Sequence, residues 1–197
     1  MPTVSPLALI HPQAIVDEGA RIGAGTRVWA FAHVLPGAVL GEDCNLCDHT
    51  FVEGKLVIGN RVTIKCGVYL WDGVTVEDDV FIGPGAGFSN DKRPRSKQYP
   101  SAPARTILRT GCSIGVNATI LPGLTLGAWS MIAAGAVVTR DVPDFALMIG
   151  NPARIAGWVC RCSAALDFQA GPESKCTCGR TYTKESPDTV KELTHGN

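Results

Sequence analysis

Neither sign of charge is in surplus: Lys plus Arg and Asp plus Glu each come to 18, and the formal net charge is zero. A general polyanion binder is therefore excluded, because nucleic-acid affinity rests on an excess of basic groups that displace counterions. No uninterrupted apolar stretch approaches the length of a membrane-spanning helix, and residues 1–11 lack a basic start followed by an apolar run. The sequence thus offers neither a transmembrane helix nor a signal peptide, and a cytoplasmic location is expected. In that reducing setting the eight cysteines are expected to be thiols or metal ligands rather than disulfides. Charged residues are scarce as well, at 18%, whereas glycine is abundant, at 22 of 197. A helical globule would carry more Glu, Lys and Ala; this balance suits tightly turning β structure.

What the chain does have is a period of six. Starting at Ile10, every sixth residue is apolar through Phe88, fourteen positions without a slip, and the phase resumes at Leu108 for six more to Val138. Four residues after each come small or β-branched side chains, among them Ala20, Thr26, Cys44, Val62, Cys112 and Ala136. Six is a multiple of two, so strand alternation survives, and each hexad reads as a short strand plus a bend. Three bends close a triangular coil of eighteen residues, with the apolar series and its small partners pointing inward. Twenty hexads make between six and seven coils. The fold class is all-β: a parallel β-helix over 1–158, with a protruding loop at 89–107, a Cys-rich segment at 159–182 and a polar tail at 183–197. An ordinary sandwich would need turn signals at less regular spacing.

The loop carries Lys92, Arg93, Arg95, Lys97 and Arg105, and a long excursion from a regular solenoid usually bears function. Residues eighteen apart should stack on one edge. That places Asn90 over Asp72, Ser89 over Trp71, Trp71 over Glu53, and makes His33, Phe51 and Tyr69 an outward column. The aromatic column fits either a small-molecule site or packing against a second subunit.

Several stretches resemble a known family. Ile132 to Arg154, and Ile114-Gly-Val-Asn-Ala-Thr-Ile-Leu-Pro-Gly123, are similar to the C-terminal signature of hexapeptide-repeat acyltransferases. Lys65-Cys-Gly-Val-Tyr-Leu-Trp-Asp-Gly73 and Phe88-Ser-Asn-Asp-Lys-Arg-Pro-Arg-Ser-Lys97 resemble N-acetyltransferases of nucleotide-linked 3-amino-sugars. The resemblance covers roughly residues 8–158. It implies a left-handed helix, a homotrimer, acetyl-CoA as co-substrate, and a dTDP- or UDP-linked amino-sugar as acceptor. Asn90 would position the amine, with Asp72 assisting, and the departing thiolate would take the proton. Trp71, Asp91, Arg93, Arg95, His33 and Lys65 would contact the sugar nucleotide. Asn117, Ala134, Gly135 and Asn151 would meet the CoA arm, and Arg140 and Arg154 its phosphates, for which a planar guanidinium is suited. None of His11, His33, His49 and His195 lies in the basic loop, where hexose acetyltransferases usually carry a base. Three other readings stay open: an O-acetyltransferase using His33 or His49 as base, a γ-class carbonic anhydrase, and a non-catalytic scaffold.

The appendage holds Cys160, Cys162, Cys176 and Cys178. Two close pairs on turns can close a tetrahedral zinc site, although C-x-C is less common than C-x-x-C. A metal-free ribbon and a disulfide are the alternatives. Cys44 and Cys112 fall on small inward positions, and Cys47 and Cys66 are unassigned.

Overall fold

The computed structural model describes residues 3–98 and 100–193. Two-residue strands separated by tight bends wind into a three-sided parallel β-helix with seven strands on each face. The first face runs from Thr3–Val4 to Thr125–Leu126, the second from Leu9–Ile10 to Met131–Ile132, and the third from Ile15–Val16 to Val137–Val138. Registers confirm the eighteen-residue coil: Arg27 pairs with Asn45, His33 with Phe51, and Val39 with Val57.

The interior is the hexad series itself. Val28, Val34, Leu46, Val52, Ile64, Leu70, Ile82 and Ile114 are fully buried, as are the small partners Ala20, Thr26, Ala32, Val62 and Ala118. Cys44 and Cys112 are buried too, and burial pushes both thiols up in pKa, leaving them inert core groups. No coil could bury its own apolar face alone; the stack does so. Where the first face turns into the second, coils approach so closely that a Cβ on Gly41 would lie 2.5 Å from the Gly59 carbonyl oxygen. That glycine edge therefore tolerates no side chain at this position.

After Phe88 the registers lengthen: Thr75 pairs with Ile107, and Phe81 with Ser113, thirty-two residues on instead of eighteen. Fourteen residues are thus inserted at the edge joining the third face to the first, here termed the loop edge. The helix resumes at Thr106, because Thr106–Leu108 is a strand and Thr106 is buried. The loop is therefore 89–105, shorter than the predicted 89–107. The third face is also split at this level, into strands ending at Tyr69–Leu70 and strands beginning at Gly87–Phe88. The Phe88 carbonyl accepts instead from the Trp71 indole N–H, at 3.0 Å.

Beyond the last coil the second face continues through Ala146–Gly150, then antiparallel through Ala153–Val159 and Ala165–Leu166. The solenoid and the Cys-rich segment thus share one sheet, and the boundary expected after residue 158 falls inside a strand. A second correction concerns the tail. Thr181–Ser186 and Thr189–Leu193 form a hairpin, paired to Glu173–Lys175, in which Tyr182 and Val190 are buried. Its strand alternation is masked by polar outward residues. His195 lies outside the described residues.

Candidate functional site

The loop edge gathers the site. Asn90 stands over Asp72, its Nδ2 donating to the Asp72 carbonyl at 3.3 Å. That bond engages the amide nitrogen and leaves the Asn90 Oδ1 uncommitted as an acceptor. Below, Glu53 Oε2 accepts the Asp72 backbone N–H at 2.6 Å, and Asp72 Oδ1 accepts the Lys55 backbone N–H at 2.8 Å. One oxygen of each carboxylate remains uncommitted by these bonds. Glu53, Asp72, Asn90 and Asp91, with Pro100 and Pro103 of the loop, line a cavity of about 270 Å³.

The loop is pinned by its own turns: Asp91 Oδ1 accepts the Arg93 backbone N–H at 2.8 Å, and Ala104 N–H donates to the Asn90 carbonyl at 3.0 Å. Lys92 folds back over the helix. A Cβ on Gly123 would lie 2.9 Å from Lys92 Cε, so the glycine provides the space it occupies. Ser89, Lys92, Pro94, Leu121, Pro122 and Thr139 border a cavity of about 540 Å³ between the loop and the later coils. Gly87 pairs with Thr119 and Thr119 with Val137, so Leu121 and Thr139 continue the column of Ser89, while Pro122 and Arg140 continue that of Asn90. Arg140 and Arg154 meet at a third cavity, of about 330 Å³, where the solenoid ends. The first two cavities follow the loop edge, and the third begins there at Arg140 and passes over the end of the helix to Met148, Arg154 and Ile155 on the continued second face.

The other predicted residues are distributed around the third face. His33 lies on it, its Nε2 2.9 Å from Asp17 Oδ2, in a cavity of about 300 Å³ with Phe31, His49, Phe51, Tyr69 and Trp71. Phe31 stacks on His49, and the Phe51 ring meets those of His33, Tyr69 and Trp71. Lys65, Asn117, Ala134 and Gly135 sit on the far edge, between the second and third faces. Within one chain they are not brought to Asn90, and the Gly135 N–H is committed to the Val116 carbonyl at 2.9 Å. Arg93 and Arg95 are exposed on the loop, Arg95 donating to the Pro94 carbonyl at 3.1 Å. Asn151 is exposed at the turn preceding Ala153–Val159. Sequence reasoning placed Glu53 in the column and Lys92 in the basic loop but gave neither a role, and it missed Leu121 and Thr139. Continuing the register across the fourteen-residue insertion was the signal that reaches the last two.

The four appendage cysteines come together. Their Sγ atoms lie within 4.8 Å of one another, with Cys160–Cys178 at 3.4 Å and Cys162–Cys176 at 3.5 Å. Four thiolates around zinc at about 2.3 Å stand roughly 3.8 Å apart, so the residues fit such an ion. The backbone N–H and guanidinium of Arg180 hold Cys178 down to about 6, whereas burial pushes Cys160 up to about 12. No helix among the described residues is long and apolar enough to cross a membrane.

Comparison with known proteins bears on this geometry. The family described as bacterial transferase hexapeptide (six repeats) matches residues 19–54 and 55–90, and the hexapeptide repeat of succinyl-transferase matches residues 110–140. A dTDP-3-amino-3,6-dideoxy-alpha-D-galactopyranose 3-N-acetyltransferase of Aneurinibacillus thermoaerophilus is 51% identical over 182 residues, covering 92% of this chain and 94% of its own. The bifunctional protein GlmU of Polaromonas naphthalenivorans is 32% identical over 77% of this chain, which spans only 31% of that relative's length. Among solved structures, a variant of AntD, an N-acyltransferase from Bacillus cereus in complex with dTDP and coenzyme A, superimposes with a TM-score of 0.51. At 17% identity, covering 81% of this chain and 85% of that one, the likeness concerns the fold.

Proposed function

The chain belongs to the hexapeptide-repeat acyltransferases, and on that premise we propose how its loop edge carries out acetyl transfer. It is an acetyl-CoA-dependent N-acetyltransferase acting on a nucleotide-linked amino-sugar. The observation that carries the site assignment is the succession of cavities from Glu53 and Asn90 along the loop edge to Arg140, ending over the last coil at Arg154. The acceptor sugar occupies the Glu53–Asp72–Asn90 end and CoA extends toward the arginines.

The reaction forms an N–C bond between the sugar amine and the acetyl carbonyl and breaks the C–S bond. The amine proton leaves with the thiolate, giving amide and free thiol. Asn90 Oδ1 accepts a hydrogen bond from the amine and aims its lone pair at the thioester. This is the positioning that converts a bimolecular encounter into a local step. Asp72 and Glu53 lie beside it. A carboxylate next to an amine favours the ammonium form, so their part is to hold the acceptor and lead the first proton away. Lys92 lies over the middle of the groove, where its ammonium meets the polar CoA arm. Trp71, Asp91 and His33 contact the sugar nucleotide, with Arg93 and Arg95 reaching its diphosphate and Lys65 joining only from the far edge of a second copy.

The far-edge residues Asn117, Ala134 and Gly135 join the same CoA only if a second copy presents them to the loop edge, and Asn151 contributes at the final turn. The reading therefore includes a homotrimer, supported by exposed Ile15 and Tyr69 on the third face. A dTDP-linked 3-amino-sugar is the expected acceptor, after the 51% identical relative. A cytoplasmic location accords with eight free cysteines. Zinc in the Cys160–Cys162–Cys176–Cys178 cluster would tie the appended sheet to the end of the solenoid, a structural role remote from the transfer.

Incubation with acetyl-CoA and paired dTDP- and UDP-linked 3-amino-sugars, followed by mass spectrometry of the sugar nucleotide, tests the reading. The expected product is the N-acetylated dTDP-sugar. Acetylation of sugars that lack the amine, or no transfer to any amino-sugar, would overturn it.

A further inference from the structure

The appended hairpin reaches back over the solenoid. Pro187 and Asp188 form the tip between Thr181–Ser186 and Thr189–Leu193. Asp188 lines the terminal cavity with Arg140, Asp141, Met148, Arg154 and Ile155. The tip is held in place rather than hanging free. Tyr182 packs edge-on against Phe145 at 5.2 Å, Lys184 stands over the Trp158 ring at 5.8 Å, and the cysteine cluster gathers at the other end of the sheet.

The charges in this cavity are unequally committed. Arg140 has no ion-pair partner among the described residues, and Arg154 spends one N–H on the Ala153 carbonyl, at 2.9 Å. Both guanidiniums are left to meet phosphate oxygens. Of the two carboxylates, Asp141 already accepts the Thr125 backbone N–H at 2.8 Å. The Asp188 carboxylate accepts nothing among the described residues; only its backbone N–H is engaged, with Ser186 Oγ at 3.3 Å. An ionised carboxylate accepts and cannot donate. Standing free in a cavity with two guanidiniums, it suits a ligand that joins phosphates to a hydrogen-bond donor. Pro143, Met148 and Ile155 give that ligand an apolar wall for a flat ring.

With the CoA phosphates at Arg140 and Arg154, we propose that Asp188 reads the 6-amino group of the purine of the acetyl donor. The inference rests on the acetyl-CoA reading above and deepens it. Arg140 stands two coils beyond Asn90, about 10 Å along the axis at the spacing of paired strands. The cavity extends further, past the last coil. A pantetheine arm, about four peptide units long, reaches roughly 14 Å, so a thioester held at Asn90 delivers its nucleotide here.

The test compares acetyl-CoA with its analogue carrying hypoxanthine in place of adenine, in which a carbonyl oxygen replaces the amine. The full-length protein should prefer acetyl-CoA by about tenfold in kcat/KM, the scale of one hydrogen bond to a charged group. Asp188→Ala should abolish that preference. Asp188→Asn, whose amide donates as well as accepts, should abolish or reverse it. Asp188 is on an exposed turn, and circular dichroism confirms that the variants remain folded. Equal use of both donors by the unmodified protein, or a preference that survives Asp188→Ala, overturns the proposal. Failure to use either donor overturns the acyltransferase reading itself and is thereby told apart.

Discussion

Deleting residues 91–104 and replacing Arg105 by Gly should leave a folded but inactive helix. The insertion lengthens the register by fourteen residues, so removing fourteen restores the eighteen-residue spacing and sets Thr106 over Val74 without a shift of phase. Position 105 then becomes a corner whose counterparts in the flanking coils are Gly73 and Gly123, at φ of 96° and 84°, hence the substitution. Shortening the connection from seventeen residues to three should gain about 1.5 kcal/mol of loop-closure entropy. Against this stands the Ala104–Asn90 backbone bond, about 1 kcal/mol. No residue of the deleted segment is described as buried. The melting temperature should therefore stay within about 4 °C of the parent. The cavity roof, Asp91 and Lys92 go with the loop, and kcat/KM should fall by about a hundredfold or more, the cost of lost positioning. Thermal unfolding by circular dichroism and thiol release give the two readouts. An unfolded product would refute the register reasoning, and near-parental activity would refute the assignment of the loop to the site.

Other outcomes follow from the same geometry. Asn90→Ala should lower kcat by about thirtyfold with little change in KM, since it removes an acceptor worth roughly 2 kcal/mol in the transition state; steady-state kinetics checks this. Arg140→Ala should raise the KM for acetyl-CoA several-fold and leave that for the sugar nucleotide unaltered, measured with each substrate varied in turn. Ile64→Ala, at a fully buried position, should cost about 2–5 kcal/mol by denaturant titration. Metal analysis of the purified protein should find about one zinc per chain, as a four-thiolate site requires, and Cys162→Ser should lower it sharply.

Much of this was legible in the sequence because six is commensurate with strand alternation. Ile22, Leu46 and Ile114 could be assigned inward by counting, and Cys44 and Cys112 recognised as core groups from their phase. The stacking of Asn90 over Asp72 followed from the same count. What counting could not supply were contacts made by long side chains leaving the lattice. The Trp71 indole replaces a backbone bond at the split third face, Glu53 reaches the Asp72 N–H, and Lys92 folds onto Gly123. The hairpin at 181–193 was hidden for a different reason: its buried residues, such as Tyr182 and Val190, are few among polar neighbours. Without that hairpin Asp188 had no place in the site.

A crystal of the protein with CoA and a dTDP-linked 3-amino-sugar decides whether transfer takes place on the loop edge. The sugar amine should lie within hydrogen-bonding distance of Asn90 Oδ1, the thiol on the same edge, and the CoA phosphates at Arg140 and Arg154. Either ligand bound along the glycine edge, or an amine turned away from Asn90, would contradict it.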